Sequence, residues 1–321
     1  MSKKHLKKGR LFMTIALIAG TIVAADCVRR DFTPQPDCNI VVTGSFKPSG
    51  VSSQSANADS ALLSENTQAS TQAVTGITNL GYSEFAVPSS QLSVGMLTLI
   101  DSAHPIITND SASLSVLSNT ANSLYSVRSD DIMLNCDAAE ALNAMMTDYN
   151  TATGLSNFIV YSTTQAYTGE NSVCNKIFPE SVSGYTIDLA IQGSSNVLEY
   201  DGNDAEAWIV ENCTKYGFIV RYPKGKEAST GQNYCPWHLR YVGKVHSNIM
   251  NENNFCLEEY LNWIKGYTIE NTPLLYSIDG ISYEIYSAAY MGDTTSVRVP
   301  VSGNYTISGN NSDAYIITAV K

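Results

Sequence analysis

The stretch from Tyr216 to Gly243 constrains the fold of this chain more than any other part of the sequence. It begins with the apolar run Phe218–Val220, which is typical of a buried strand, and a turn containing a proline and a glycine follows. Proline fixes its own backbone and restricts the preceding residue, so Pro236 holds Cys235 in an extended segment. Cys235 and His238 are therefore candidates for a chemical site on a short, rigid segment.

This stretch resembles the VanY-type D-alanyl-D-alanine carboxypeptidases, a zinc peptidase family that trims peptidoglycan stem peptides. The family pattern reads YGFILRYP, then a short basic turn, then EPWHLRYVG. This chain reads YGFIVRYP and CPWHLRYVG at the matching positions. The resemblance implies that His238 stands at a zinc-ligand position. It also implies that Cys235 replaces the catalytic glutamate of the family.

The second family motif, SxHxxGxAxD, carries the other two zinc ligands, a histidine and an aspartate. The matching stretch here is 180–188, in which Gly184 and Asp188 fit the motif. The spacing between this glycine and this aspartate places Ser181 at the histidine position. The resemblance thus implies that Asp188 is retained as a ligand position and that one histidine ligand is lost.

The resemblance implies zinc as the cofactor, and the substitutions affect its binding. A zinc hydrolase needs three protein ligands, an open coordination position and a base for the bound water. This chain retains only Asp188 and His238, and it lacks the glutamate base. We therefore expect zinc to be absent or weakly bound and hydrolysis to be impaired, although the sequence leaves open whether the chain is an enzyme.

Cys235 allows two interpretations that would preserve chemistry. A thiolate is a good zinc ligand, so Asp188, Cys235 and His238 could form an altered ligand set. Alternatively, Cys235 could act as a nucleophile with His238 as its base. The simplest interpretation is that Cys235 is inactive and fills space in a vacated pocket.

The substrate side of the family cleft also differs. In the family, the strand that corresponds to Phe158–Tyr161 continues into SGYRS, whose arginine contacts the terminal region of the substrate. Here the chain continues as YSTTQ up to Gln165, without arginine. The candidate substrate-binding residues are Arg221, Trp237 and Gln165. Arg221 could instead be a framework residue that holds neighbouring strands together.

The charge distribution indicates export and disfavours a nucleic-acid partner. Five of the 19 basic residues lie in the first ten positions, and the apolar run Leu11–Ala25 follows. This pattern predicts a signal peptide or signal-anchor over residues 1–25. The remaining 14 basic residues face 30 acidic ones, which is unsuited to phosphate binding. We expect an extracytoplasmic protein, secreted or anchored at the cell surface, that contacts a membrane only through its N-terminal segment.

Composition and periodicity predict the remaining organisation. Residues 26–77 are rich in Ser, Thr and Ala and indicate a linker. The resemblance implies an α+β domain over 78–269, an antiparallel sheet with packed helices. Residues 270–321 are predicted to form a small antiparallel β extension.

Local patterns predict several individual elements. They indicate a strand at Leu97–Ile100, a helix capped by Asp137 and stopped at Gly154, a second helix with His246 on its outer face, and a hairpin turn at Asp279–Gly280.

These observations support three hypotheses about function. The first is a catalytically impaired family homologue that binds peptidoglycan stem peptides or another cell-wall component. The second is an active zinc D,D-carboxypeptidase with the altered ligand set. The third is a cell-surface scaffold or adhesion protein in which the linker and the β extension matter most.

Overall fold

The computed structural model describes residues 81–105, 113–161 and 178–321. The strands are β1 Tyr82–Pro88, β2 Leu114–Val116, β3 Ser126–Val127, β4 Met133–Asn135, β5 Phe158–Tyr161, β6 Thr186–Gln192, β7 Val197–Glu199, β8 Phe218–Tyr222, β9 Cys235–Tyr241, β10 Leu274–Ile278, β11 Ile281–Ala289, β12 Thr294–Pro300, β13 Tyr305–Gly309 and β14 Ala314–Val320. The helices are α1 Leu117–Thr120, α2 Cys136–Thr153, α3 Ala207–Asn212, α4 Glu227–Thr230, α5 Lys244–Glu252 and α6 Leu257–Ile264.

A six-stranded sheet positions the candidate site. Its order is β3-β5-β6-β9-β8, and β7 pairs with β6 beside this path. All of its pairings are antiparallel except β3 with β5. Helix α2 packs against this sheet and α5 contacts β8, so the predicted α+β class with an antiparallel sheet is confirmed.

Helix α2 covers one face of this sheet. Because side chains alternate along a strand, Ile187, Leu189 and Leu239 point to that face and join the same apolar cluster as Leu142 and Met145 of the helix. The prediction that Asp137 caps the helix was wrong. The cap is Asn135, whose side chain accepts hydrogen bonds from the backbone N–H groups of residues 137 and 138. The predicted stop at Gly154 is present, with φ of 73°.

A second apolar cluster joins α5 and α6 to the C-terminal strands. Val245 and Leu261 of these helices pack in one cluster with Ile285 and Ile316 of β11 and β14. The prediction that His246 lies on the outer face of its helix was wrong. Its side chain is buried, Nδ1 contacts Tyr260 Oη at 2.6 Å, and Nε2 contacts Thr318 Oγ1 at 3.0 Å.

The segment Leu97–Ile100 is not a strand, contrary to the prediction. Its backbone makes isolated hydrogen bonds instead of the regular hydrogen-bond ladder of a paired strand. The N–H of Leu97 donates to Ser308 Oγ, and the N–H of Leu99 donates to the carbonyl of Asn310. Leu97 and Ile100 are apolar because they are buried in the core, and not because the segment pairs in a sheet.

The C-terminal strands form a four-stranded antiparallel sheet in the order β10-β11-β14-β13. The predicted turn at Asp279–Gly280 connects β10 to β11, and both residues have positive φ. Strand β12 pairs with β1 from the opposite end of the described chain, and the sequence did not indicate this pairing. The predicted boundaries at 78 and 270 remain predictions.

Several predictions lie outside the described residues. These are the signal segment 1–25, the linker 26–77 and Gln165. Across 81–105, 113–161 and 178–321, no helix combines the length and apolar character that a membrane crossing requires.

Candidate functional site

The pairing of β6 with β9 brings two of the predicted site residues together. Asp188 lies directly opposite His238 in this antiparallel pair, so both side chains point to the sheet face away from α2. His238 Nδ1 lies 2.5 Å from Asp188 Oδ1, and His238 is fully buried. The two retained family ligand positions therefore bond directly to each other.

A third side chain, Glu180, completes this contact. It lies on the 3₁₀ helix Pro179–Ser183, which precedes β6, and it is fully buried. Its Oε1 accepts hydrogen bonds from His238 Nε2 and from Tyr222 Oη, each at 3.1 Å. Gly184 ends this helix with φ of 75°, and a Cβ there would collide with Leu114. A glycine at this position thus allows the tight turn from Glu180 into β6.

Two buried arginines neutralise Glu180. Its Oε2 accepts from Arg240 Nη1 at 2.7 Å and from Arg221 Nε at 3.1 Å. Arg221 also binds Glu258 through both terminal nitrogens, at 3.1 and 2.7 Å. Arg240 Nη2 donates to two backbone carbonyls, those of residues 96 and 98. The resulting cluster contains three acidic and three basic side chains, namely Glu180, Asp188, Glu258, Arg221, Arg240 and His238.

The electrostatics of the cluster favour a protonated His238. Burial alone would lower the pKa of His238, but attraction to Asp188 and hydrogen bonds to Asp188 and Glu180 raise it to about 9. Both ring nitrogens face carboxylate oxygens, and the imidazolium form donates to both. Burial raises the pKa of Asp188 as well, and the adjacent His238 opposes that shift. The charged pair is the form that the contacts of both ring nitrogens favour. Burial raises the pKa of Glu180, but Arg221, His238 and Arg240 outweigh it and hold the pKa well below its usual range.

Aromatic rings enclose the imidazolium. The ring of Phe178 lies 4.4 Å from that of His238, and Tyr222 stacks on it at 5.5 Å with an interplanar angle of 10°. Trp237 approaches edge-on at 5.9 Å. A cation is stabilised over aromatic faces, so these rings favour the charged form and close the site around it.

Cys235 lies in β9 opposite Tyr222 and is nearly buried. Its Sγ donates to the carbonyl of Asn233 at 3.3 Å. Because both nitrogens of His238 are bound to carboxylates, His238 has no free lone pair with which to deprotonate the Cys235 thiol. The geometry therefore disfavours a Cys-His nucleophile pair.

The other predicted residues are placed as follows. Ser181 is buried on the 3₁₀ helix beside Glu180. Arg221 is buried in the ionic cluster with all three of its nitrogens bound to carboxylates, which favours a framework role over substrate binding. Trp237 is 8% exposed, and Gln165 lies outside the described residues.

Sequence reasoning missed Glu180. Its signal was present, because it is the only charged residue between Phe178 and Asp188, and it adjoins the motif position held by Ser181. Arg221 and Arg240 lie in apolar strands and would need a buried counter-charge. A search for the buried counter-charge of these two arginines could therefore have identified Glu180.

The described residues do not fit a zinc ion. In the part of the chain that the structure describes, no three His, Cys, Asp or Glu side chains are arranged to hold a metal, so Cys235 does not join Asp188 and His238. The third family ligand position holds the neutral hydroxyl of Ser181. The remaining two ligands are satisfied by each other at 2.5 Å. A tetrahedral zinc site needs donors that converge on a shared point, and this donor set does not provide it.

The antiparallel sheet with packed helices has the fold of a solved D,D-dipeptidase, and Asp188 and His238 lie opposite each other on its neighbouring strands. The family model described as D-alanyl-D-alanine carboxypeptidase (VanY) matches residues 180–244. A D-alanyl-D-alanine carboxypeptidase of Enterococcus faecium is 33% identical over 244 residues, which covers 73% of this chain and 78% of that protein. The chain belongs to the VanY-type D-alanyl-D-alanine carboxypeptidase family.

A solved D,D-dipeptidase structure shows the same fold. The vancomycin-resistance D,D-dipeptidase VanXYg, crystallised with a D-Ala-D-Ala phosphinate analogue, has a TM-score of 0.63 at 24% identity. The similarity covers 75% of this chain and 99% of that one. A VanY D,D-pentapeptidase mutant in complex with Zn(II) is similar over 52% of this chain and 99% of that one, with 22% identity and a TM-score of 0.38.

Proposed function

We propose that this chain is an extracytoplasmic member of the family that binds peptidoglycan stem peptides or another cell-wall component and does not hydrolyse D-Ala-D-Ala. The observation that carries the proposal is the closed contact of Asp188 with His238, whose other nitrogen is bound to Glu180. Asp188 and His238, which stand at zinc-ligand positions of the family, thus bind each other within a neutral ionic cluster. Without the metal and the glutamate base, both the activated water and the general base are lost.

The family relationship supports the choice of ligand. The relative in Enterococcus faecium is a D-alanyl-D-alanine carboxypeptidase, and the VanXYg structure holds a D-Ala-D-Ala analogue. Because the predicted site residues that the structure describes are at most 8% exposed, a stem peptide would meet the surface around them. The extracytoplasmic location rests on the basic start and the apolar run Leu11–Ala25.

A hydrolysis assay tests the loss of catalysis. Purified protein is incubated with a stem peptide that ends in D-Ala-D-Ala, with and without added zinc, and released D-alanine is measured. We expect no release above the blank and less than stoichiometric bound zinc. Zinc-dependent release that His238→Ala abolishes would contradict the proposal and support the altered ligand set.

A second arm tests the assigned register. Ser181→His combined with Cys235→Glu supplies the two family residues, and bound zinc in this variant is expected if Ser181 stands at the ligand position. Unchanged metal content would contradict that register. We expect little activity from the variant, because the substrate-side arginine remains missing.

A binding assay distinguishes the proposal from the scaffold or adhesion alternative. The closed site is also compatible with that alternative, since neither function needs a metal. We expect the protein to co-sediment with purified peptidoglycan and to be displaced by soluble stem peptide. Absence of co-sedimentation would favour the scaffold hypothesis.

Intact-mass analysis of exported material tests the location. We expect the loss of roughly the first 25 residues for a cleaved signal. Full-length protein in the membrane fraction would indicate an anchor. Recovery from the cytosol alone would contradict export.

A further inference from the structure

His246 is a second buried histidine, and its surroundings differ from those of His238. It lies on α5 and is 3% exposed. Its Nδ1 lies 2.6 Å from Tyr260 Oη on α6, and its Nε2 lies 3.0 Å from Thr318 Oγ1 on β14. Both partner residues are themselves buried. His246 thus connects two helices to the C-terminal strands through hydroxyl groups.

The two hydroxyl partners fit a neutral imidazole ring. Such a ring accepts a hydrogen bond at one nitrogen and donates at the other, and a hydroxyl group can take either role. The imidazolium form donates at both nitrogens, so one of the two hydroxyl groups would lose the acceptor that it has now. Protonation of His246 therefore disturbs the hydrogen bonding and also places a charge in the buried interior.

The charged side chains of the elements around His246 have partners of their own. The pairs are Lys244 with Asp279, Glu252 with Tyr276, Glu258 with Arg221, Glu259 with Lys226, Lys265 with Asp313, Glu284 with Lys321, and Arg240 with Glu180. The titratable group that contacts the His246 ring is the Tyr260 hydroxyl. Burial consequently lowers the pKa of His246 to about 3, whereas the carboxylates around His238 raise that pKa to about 9.

We propose that His246 is an acid-sensitive switch at the junction of α5, α6 and β14. Protonation places a cation between neutral hydroxyl partners at this junction and weakens it. The affected region is the apolar cluster that α5 and α6 share with β11 and β14. The inference stands independently of the proposed function, because it involves neither a stem peptide nor a metal.

The direction of the pH effect follows from the shift of His246. Its folded-state pKa lies below the ordinary value of 6.5, so the unfolded chain binds the proton more tightly. The stability that depends on the neutral ring is present above pH 6.5 and is lost as the pH falls from 6.5 towards 3. Between pH 7.5 and pH 5.0, this linkage raises the unfolding equilibrium constant about 30-fold. His238 acts in the opposite direction over this range, because its folded pKa is raised.

Urea denaturation of the whole protein at pH 7.5 and pH 5.0 tests the switch, with His246→Gln as the variant. The quantity compared is the unfolding constant at pH 5.0 divided by that at pH 7.5. We expect this ratio to be about 30-fold smaller in the variant, because glutamine gains no proton. His238 is present in both chains, so its opposite effect cancels in the comparison. Equal ratios in the two chains would overturn the proposal.

His104→Gln is the matched control, because the side chain of His104 is 31% exposed and contacts Asp101. Water reaches this ring in the folded state, so we expect the ratio to stay within about threefold of that of the parent chain. A decrease as large as that caused by His246→Gln would show that burial is not the cause and would overturn the proposal.

Nuclear magnetic resonance of the histidine rings in the parent chain gives a second test, which does not depend on the folding of a variant. The His246 ring is assigned through its contact with Tyr260. We expect its nitrogen chemical shifts to remain those of a neutral ring from pH 8 to pH 5. A His246 ring that gains its proton with a midpoint near pH 6.5 in the folded chain would overturn the proposal.

Discussion

Glu180 binds all three basic side chains of the ionic cluster. Its two oxygens bind His238, Tyr222, Arg221 and Arg240, all in the buried interior. A buried ion pair is a weak source of net stability, but removing one member leaves uncompensated charge. The cluster therefore holds the 3₁₀ helix against three strands and is intolerant of single substitutions.

The substitution Glu180→Gln tests this role with little change of volume. We expect the free energy of unfolding to fall by about 3–5 kcal/mol, because three buried cations lose their shared carboxylate. Urea denaturation followed by circular dichroism measures the change. Glu140→Gln on the exposed side of α2 is the control and should shift stability by less than about 0.5 kcal/mol. Equal effects of the two substitutions would mean that the cluster does not act as a unit.

The pKa of His238 predicts a loss of stability in alkaline solution. Its folded pKa of about 9 lies above its ordinary value of 6.5, so the folded state binds the proton more tightly. The stabilisation is complete below pH 6.5 and disappears as the pH rises through 9, a change of roughly 3 kcal/mol. Denaturation curves between pH 6 and pH 10 should show this decline. His238→Gln should remove it, and an unchanged decline in that variant would assign it to another group.

At the scale of elements, β1 is the least expected contribution to the fold. Seven residues, Tyr82–Pro88, pair with the whole of β12, so a segment from the start of the domain belongs to the C-terminal β region. Val87 is buried with Tyr286 and Tyr315, and Tyr82 Oη donates to Glu284. Strand β12 has β1 as its paired neighbour.

Truncation tests the contribution of β1. A chain that begins at residue 78 should fold, whereas one that begins at residue 90 should be markedly less stable and prone to associate. The shorter chain exposes the edge of β12 and the apolar residues that Val87 covers. Thermal unfolding and size-exclusion chromatography provide the comparison. Equal melting temperatures for the two chains would show that β1 is dispensable.

At the scale of the whole molecule, one apolar cluster joins the family domain to the C-terminal strands. Ile285 and Ile316 pack with α5 and α6, and the buried His246 contacts Thr318 across the same boundary. Surface ion pairs, such as Lys265 with Asp313, add to this junction. The C-terminal strands thus share their core with the domain that carries the ionic cluster.

This shared core predicts a single unfolding transition. Far-UV circular dichroism and tryptophan fluorescence should give coincident urea curves, because unfolding of either part would expose the apolar cluster that α5 and α6 share with β11 and β14. Two separate transitions would show that the C-terminal strands form an independent unit with the boundary near residue 270.

The sequence by itself determined the elements that local chemistry specifies. The apolar run of β8, the proline-containing segment of β9, helix α2 with its glycine stop and the hairpin at Asp279–Gly280 all depend on neighbouring residues, and the structure contains each of them. The resemblance to the family motifs also identified Asp188 and His238, which do meet across β6 and β9. The predictions from periodicity were wrong at Leu97–Ile100 and His246, where residues distant in the sequence supply the contacts.

Only the tertiary structure decided how the charged residues are paired. Glu180 binds residues more than 40 positions away, and β1 pairs with a strand more than 200 positions away. Such pairings leave no local period in the sequence. They depend on burying a charge or a strand edge against a partner that is distant in the chain. The residues of the family motifs could therefore be found from the sequence, whereas their closure into a neutral ionic cluster required the fold.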